Sequence, residues 1–524
     1  MSWDGGRVWR GAVVLAAVWV FALGFTANKG FFHDDAFIGL RYARNLISGH
    51  GLVWNSGERV EGYTNGLFTL LEGLLGAAGV DLVVASRVIN ISAFAGLILV
   101  AWVGAPGRPA RDGGDRALAM VPTLLVLTSF PLIVWIPGGL EGPLFAALSG
   151  SAIGLLCGPS DPDPGSRSTA ASGVLFGLAC AVRMDGLLFI PVSLGFLLFA
   201  SRESRPARLP TFLCAFLATF LPYFLWRLLY YGSPVPNTFW VKAAGGSWSR
   251  MVSGLDYLAS YAATPPYLLA LAGLALVYSL VRRSFDRRTA YLLGVVVVYL
   301  LYVVYVGGDY MPAFRMVLPV IFPAALLVGS ALARATPPSA RWTGMGALAG
   351  LLFLTGLQVD DPRVNPRYTD PAAFVGTIVG RHIASAWPPG DLVALNTAGS
   401  TPYYAGDLRF LDMLGLNDAH IARRAVAGIE VPWQVVPGHL KGDGAYVLGR
   451  RPDYVIIGPA EGATARDPMF LSDLEIARDP RFPADYALRQ ERLDVSGLTG
   501  FRLYPATRTG VLTFTYYERR TRGE

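Results

Sequence analysis

Charge is what this chain has least of: 15% of its 524 residues are Asp, Glu, Lys or Arg, while 53% are hydrophobic. A soluble domain carries about 25% charged residues, so a single water-soluble globule is excluded, and a mean hydropathy of +0.43 points the same way. Cysteine is scarce too. Cys157, Cys180 and Cys214 are the only three, and they fall in or beside apolar runs without paired spacing, which excludes a disulfide framework and a cysteine-rich metal site. There is no glycine-rich loop of the kind that cradles a nucleotide phosphate, no internal repeat and no long low-complexity linker. The net charge of +7 would suggest nucleic acid in a soluble protein. Here many basic residues sit in short loops between apolar runs, where they set membrane topology, and no nucleic-acid partner is implied.

What the chain has in quantity is apolar runs of bilayer-crossing length. The first spans about 8–27 behind Arg7 and Arg10, a basic start that holds the N-terminus in the cytoplasm. A signal peptide shares that pattern, but the later runs make the chain polytopic in either case. Further spans are expected near 82–103, 117–136, 141–157, 170–182, 186–200, 209–230, 266–281, 289–306, 313–333 and 342–357, about eleven in all. This alternation puts the basic loops on the cytoplasmic side: Arg108, Arg111 and Arg116; Arg202 to Arg208; Arg282 to Arg288; and Arg334 to Arg341. Residues 28–81 then form a first extracytoplasmic loop with two short helices. Ala36–Ile47 is expected on the membrane surface and Leu67–Ala78 as an interfacial or re-entrant segment. The fold class expected is therefore a polytopic α-helical membrane protein, residues 1–357, followed by a C-terminal extracytoplasmic α/β domain, residues 358–524. Strand-like runs at Leu392–Leu395 and Tyr454–Ile457 support the second part.

The unusual polar residues collect on one side of this topology. Asp34 and Asp35 follow the first span directly; Glu141, Arg183, Asp185, Asn237, Lys242, Asp309 and Arg315 lie at other span ends on the same face. An ionisable group near the membrane core costs about 2.5–3.5 kcal/mol on insertion scales, so their convergence predicts a wet cavity. Carboxylates there can act as a general base toward a hydroxyl, while Lys and Arg can hold a phosphate leaving group. That set of groups suits glycosyl transfer from a lipid phosphate. His33, beside the acidic pair, reads first as a neighbour that orients a carboxylate.

The run His33-Asp34-Asp35-Ala36-Phe37-Ile38-Gly39-Leu40-Arg41-Tyr42, with Gly49-His50-Gly51 and Glu58 to Asn65, resembles the first extracytoplasmic loop of GT-C superfamily glycosyltransferases. It is most similar to the branch of mycobacterial terminal arabinofuranosyltransferases. Gly139-Leu140-Glu141, Arg183-Met184-Asp185-Gly186, Pro236-Asn237-Thr238-Phe239 with Lys242, Gly307-Gly308-Asp309-Tyr310-Met311-Pro312 with Arg315, and Asp412 to Asp418 extend the resemblance over about residues 31–420. It implies an enzyme of the bacterial plasma (inner) membrane that moves a sugar from a polyprenyl-phosphate carrier to a cell-envelope glycan or glycolipid hydroxyl at the outer face. One of Asp34 and Asp35 would be the catalytic carboxylate, the other orienting it or the acceptor. Lys242, Arg315 and Arg183 would contact the donor phosphate, and His33, Glu61, Glu141, Asn237, Asp309 and Tyr310 would line the sugar or acceptor site. A divalent cation, Mg²⁺ or Ca²⁺, is left open, since no closed ligand set is visible. The sugar, the acceptor and the stereochemical course stay open as well, and the alternative readings are a transporter or flippase of lipid-linked sugars and a noncatalytic membrane scaffold. Acceptor binding is expected of the C-terminal domain through Asp412 to Asp418.

Overall fold

The computed structural model describes residues 5–103, 120–158, 164–199, 205–242, 247–334, 338–357, 366, 370–496 and 509–520. Arg108, Arg111, Arg116, Arg202 and the segment 335–337, on which part of the charge-based topology rests, lie outside them. Up to Leu357 the described chain is helical. Four helices, Leu82–Val103, Ala207–Tyr231, Arg287–Val306 and Arg315–Ala333, are long and apolar enough to cross a bilayer, and shorter apolar helices pack among them. Arg315–Ala333 is the central one: 83% of its apolar window is covered by protein, against 22% for Ala207–Tyr231. The outer helices turn Leu99, Leu229, Leu274, Val281 and Leu301 outward, as lipid-facing surfaces require.

The expected span near 117–136 is not one helix over the part described. Val121–Leu127 stops and Phe130–Trp135 begins after Thr128 and Ser129. The cause is local. Pro131 stands in the first turn of the second helix, where its missing N–H is harmless but its ring cannot continue a preceding one. The Thr128 hydroxyl bonds back to the Leu124 carbonyl at 2.8 Å.

Beyond Pro371–Ala386 the chain builds a five-stranded sheet from β1 (Leu392–Leu395), β2 (Arg409–Asp412), β3 (Tyr454–Val455), β4 (Tyr486–Asp494) and β5 (Val511–Arg519), in the order β2-β1-β3-β5-β4. β1 runs parallel to β2 and β3, while β5 is antiparallel to both β3 and β4. The parallel strands read as continuous apolar runs because both faces are covered. This is an α/β region, as the strand-like runs predicted.

The helix Asp34–Ile47 joins the two regions. His33 caps it, the ring Nδ1 accepting the Asp35 amide at 3.2 Å. Its polar face was expected to meet water at the membrane surface. Instead protein covers both faces, the apolar one packing on the helical region, Arg41 and Tyr42 on the α/β region, and Asn45 on the first loop, where its amide donates to the Val53 and Trp54 carbonyls. Arg41, 2% exposed, donates to the Trp54, Pro402 and Leu408 carbonyls and lies over the Trp54 and Phe410 rings. Arg44 donates to the Tyr403 carbonyl and stacks on its ring. The Asp34 carboxylate accepts the Ser400 amide at 2.8 Å and its hydroxyl at 2.6 Å. Gly399 is required for this approach, since a Cβ there would stand 2.2 Å from the Asp34 carbonyl oxygen.

Burial, and after it the Asp370 carboxylate, push the Asp34 carboxyl up to about 6 despite the opposing Ser400 hydrogen bonds. A carboxyl that binds its proton more tightly folded than unfolded makes the native state the better proton acceptor between pH 3.8 and about 6. Stability therefore falls as pH rises through that window and is level above it, by about 3 kcal/mol from this group. Thermal unfolding of the detergent-purified protein from pH 4 to 7.5 is expected to show a shallower decline for Asp34→Asn than for wild type; equal slopes would refute this assignment.

A second buried charge sets another test. Arg227 holds Glu61 through its Nε at 2.6 and 2.8 Å, with both side chains almost wholly enclosed. Removing one member leaves the other charge buried, at a cost of about 3–5 kcal/mol, whereas an apolar pair of similar size is often tolerated. Arg227→Met alone is expected to lower the melting temperature by several degrees, and Glu61→Leu combined with Arg227→Met to recover part of that loss.

Candidate active site

Of the polar groups expected on one face, Asp35, Glu141, Arg183, Lys242, Asp309 and Arg315 come within electrostatic reach of one another. The central helix begins at Arg315, so its N-terminal end delivers that guanidinium. The preceding turn uses Gly307 and Gly308 at φ 93° and 73°, then Ala313 and Phe314 at 56° and 47°. Left-handed backbone at two successive non-glycine residues costs of order 1–3 kcal/mol each and recurs at functional sites. It folds Arg315 back onto Asp309, with Nη2 to Oδ2 at 2.6 Å. Arg183, just after Ser166–Val182, forks between Glu141 at 2.7 Å and Asp185 at 3.0 Å, and Tyr299 donates to Asp185 at 2.8 Å. Arg183 and Arg315 line one small pocket together with Phe145, Tyr299 and Met316.

Lys242 ends the short helix Asn237–Lys242 and keeps an accessible side chain. It forms no ion pair within 4 Å among the described residues, yet Arg315, Asp309, Asp35 and Arg183 all act on it. For Asp309 burial alone would raise the carboxyl, but Arg315 and Lys242 outweigh it and hold it low. Three cations, Lys242, Arg183 and Arg315, thus share the site with four carboxylates, Glu141, Asp185, Asp309 and Asp35, and of the three cations Lys242 is the one without a carboxylate within 4 Å among the described residues.

The two members of the acidic pair have different fates. Asp34 is buried and committed to Ser400. Asp35, one position on, is half-exposed, and its carboxylate makes no hydrogen bond or ion pair among the described residues. Its charge reaches Lys242, Tyr310, Arg315 and His439. Asp35 therefore faces the cationic site with its lone pairs open.

Of the other residues expected at the sugar or acceptor, Glu141 and Asp309 stand in the site as partners of its arginines, and Tyr310 is exposed beside His439 at 5.6 Å. His33 is taken up in capping and faces Asp370 at 3.7 Å. Glu61 is committed to Arg227, and the Asn237 amide donates to the carbonyls of Gly415, Leu416 and Asp418. The Asp412 carboxylate, expected to help bind acceptor, organises its own loop by accepting the Leu414, Gly415 and Asn417 amides. Among the described residues no three or more His, Cys, Asp or Glu gather as metal ligands would. Sequence reading missed Asp370, Ser400 and His439, which reach the site from the α/β region. Only the Asp370-Pro371 pair, a helix-start signal, could have drawn notice.

Residues 368–513 match a family model described as a domain of unknown function, DUF8728. Two curated proteins are similar in sequence, both named terminal beta-(1->2)-arabinofuranosyltransferase. That of Mycobacterium tuberculosis is 29% identical over 61% of this chain and 56% of its own length. That of Corynebacterium glutamicum is 27% identical over 59% of this chain and 50% of its own. The chain thus spans about half the length of these relatives. In structure it resembles ArnT from Cupriavidus metallidurans, with a TM-score of 0.54 to the apo form over 78% of this chain and 87% of that one at 13% identity. The score is 0.51 to ArnT bound to undecaprenyl phosphate, over 76% and 86% of the two chains and also at 13% identity. The resemblance read from the sequence is borne out: the chain is similar in sequence to two terminal arabinofuranosyltransferases and shares its fold with ArnT.

Proposed function

We propose that this protein transfers a sugar from a polyprenyl-phosphate carrier to a hydroxyl of a cell-envelope glycan or glycolipid, at the outer face of the bacterial plasma membrane. The observation that carries this reading is Asp35, an accessible carboxylate without an internal partner among the described residues, whose charge reaches Lys242 and Arg315. Its relatives carry arabinofuranosyltransferase names, and a protein of the same fold binds undecaprenyl phosphate.

The chemistry follows from charge and position. Asp35 takes the proton from the acceptor hydroxyl, whose oxygen bonds to the anomeric carbon as the bond from that carbon to the phosphate oxygen breaks. The phosphate leaves with the electron pair, and Lys242, Arg315 and Arg183 stabilise its added charge. A phosphate leaves without being protonated first, so no general acid is needed. Asp309 and Glu141 fix the two guanidinium planes in advance, which spares reorganisation during the step. Under the topology proposed from the basic loops, with about eleven spans, this site and the α/β region lie outside the cytoplasm.

Assays of transfer from a panel of radiolabelled polyprenyl-phosphate sugars separate the two aspartates. Asp35→Asn is expected to cut turnover by about 10²–10⁴, the usual worth of a general base, with donor binding retained. Asp34→Asn, which keeps an oxygen for Ser400, is expected to retain most of the turnover. Unchanged turnover in Asp35→Asn would sink the mechanism and favour a carrier or a scaffold.

Removing the cations addresses the other half of the site. Lys242→Met and Arg315→Met are each expected to lower kcat/KM for the donor about 10²-fold, the loss seen when one charge-stabilising donor is deleted, while acceptor KM stays unchanged.

A further inference from the structure

The α/β region lends the site more than a lid of backbone. The segment Val431–Lys441 runs past Lys242 so closely that a Cβ on Gly438 would stand 3.8 Å from the lysine Cε. Gly438 has φ 93°, a left-handed turn that glycine allows. The turn projects His439 against Tyr310, with ring centroids 5.6 Å apart. Behind it Phe470 stacks on the imidazole at 5.6 Å and 18°, and Trp433 flanks it at 5.7 Å.

The outer members of this group are open. Trp433 is 40% exposed and Tyr310 48%, although both are large and aromatic. The His439 Nδ1 is enclosed and has no hydrogen-bond partner among the described residues. Burial is the main cause that lowers the proton affinity of the imidazole, although Asp35 opposes it. Exposed aromatic faces carry negative quadrupole charge that attracts the polarised C–H face of a sugar ring.

Taking the transfer reading above as its basis, we propose that Trp433, His439 and Tyr310 form the acceptor subsite, in which an acceptor sugar ring stacks on the aromatic faces and one of its hydroxyls bonds to His439. The cations of the helical region mark where the donor phosphate lies, and these aromatics stand toward the α/β region, with Asp35 acting electrostatically on both groups. An acceptor held there presents its hydroxyl to the base without competing for the phosphate contacts. His439 and Trp433 act as positioning residues in this scheme.

Steady-state transfer by the full chain, with an octyl arabinofuranoside acceptor and decaprenyl-phosphate arabinofuranose as donor, tests the proposal. Trp433→Ala and His439→Ala are expected to raise acceptor KM at least tenfold and leave donor KM within twofold. Trp433→Phe should recover most of the loss, since it restores an aromatic face, and melting temperatures should match wild type. A rise in donor KM, or unchanged acceptor KM in both alanine variants, would overturn it. If wild type transfers from no polyprenyl-phosphate sugar of the panel, the transfer reading itself fails; binding of the octyl arabinofuranoside, followed by isothermal titration, then still decides whether Trp433→Ala weakens a sugar site.

Discussion

Everything in the site depends on one awkward burial: a helix that carries Asp34, Arg41, Arg44 and Asn45 is enclosed on both sides by protein. Burying a guanidinium without a carboxylate is costly, and burial pushes Arg41 down to about 9. The offset comes from backbone carbonyls contributed by the α/β region, those of Pro402, Leu408 and Tyr403. Hydrogen bonds to charged groups are the stronger kind, so the helix and the α/β region hold each other in register. Neither surface would be satisfied alone. Loss of that docking would expose carbonyls, strand the arginines and move Asp35 relative to the cations.

The acidic pair illustrates how such docking sorts chemically identical groups. Adjacent helical positions differ by about 100° in direction, so Asp34 meets Ser400 of the α/β region while the charge of Asp35 reaches Lys242 and Arg315. Asp34 is desolvated and held by Ser400; Asp35 is wetted and left without an internal partner. A base must be open to substrate, and the group that fixes it must be closed to it. One register step achieves both, and the His33 cap locks the start of the helix so that the register cannot drift.

The first loop was legible because carboxylates after an apolar span have few reasons to exist, and Arg183, Lys242, Asp309 and Arg315 were legible because ions at span ends are expensive. Their convergence could be read without coordinates. The fates of Glu61 and Asn237 could not, since a charged or amide side chain near a membrane looks the same whether it meets substrate or a buried partner such as Arg227. The surface helix was misjudged for a related reason. Amphipathic spacing reports that two faces differ, not whether lipid, water or another part of the chain covers them. Asp370, Ser400 and His439 lie more than three hundred residues from Asp35, beyond any local pattern. The break at Thr128 was hidden by apolar composition, which is blind to where Pro131 stops a helix.

Placing the site at the seam has a consequence for specificity. On the proposed mechanism the helical side supplies the charges that meet the donor phosphate, Arg183, Arg315 and Lys242, and these are indifferent to the sugar beyond it. The α/β side supplies Trp433 and His439, whose flat and directional contacts depend on ring shape and hydroxyl placement. A change of acceptor could then come from substitutions in the Val431–Lys441 segment without disturbing Arg183, Arg315 or Lys242. The reverse does not hold: altering the cationic cluster would remove the anion site for every donor that shares a lipid phosphate. Division of the site between two regions thus lets one half stay constant in chemistry while the other varies in shape, provided the buried arginines keep the two halves in register.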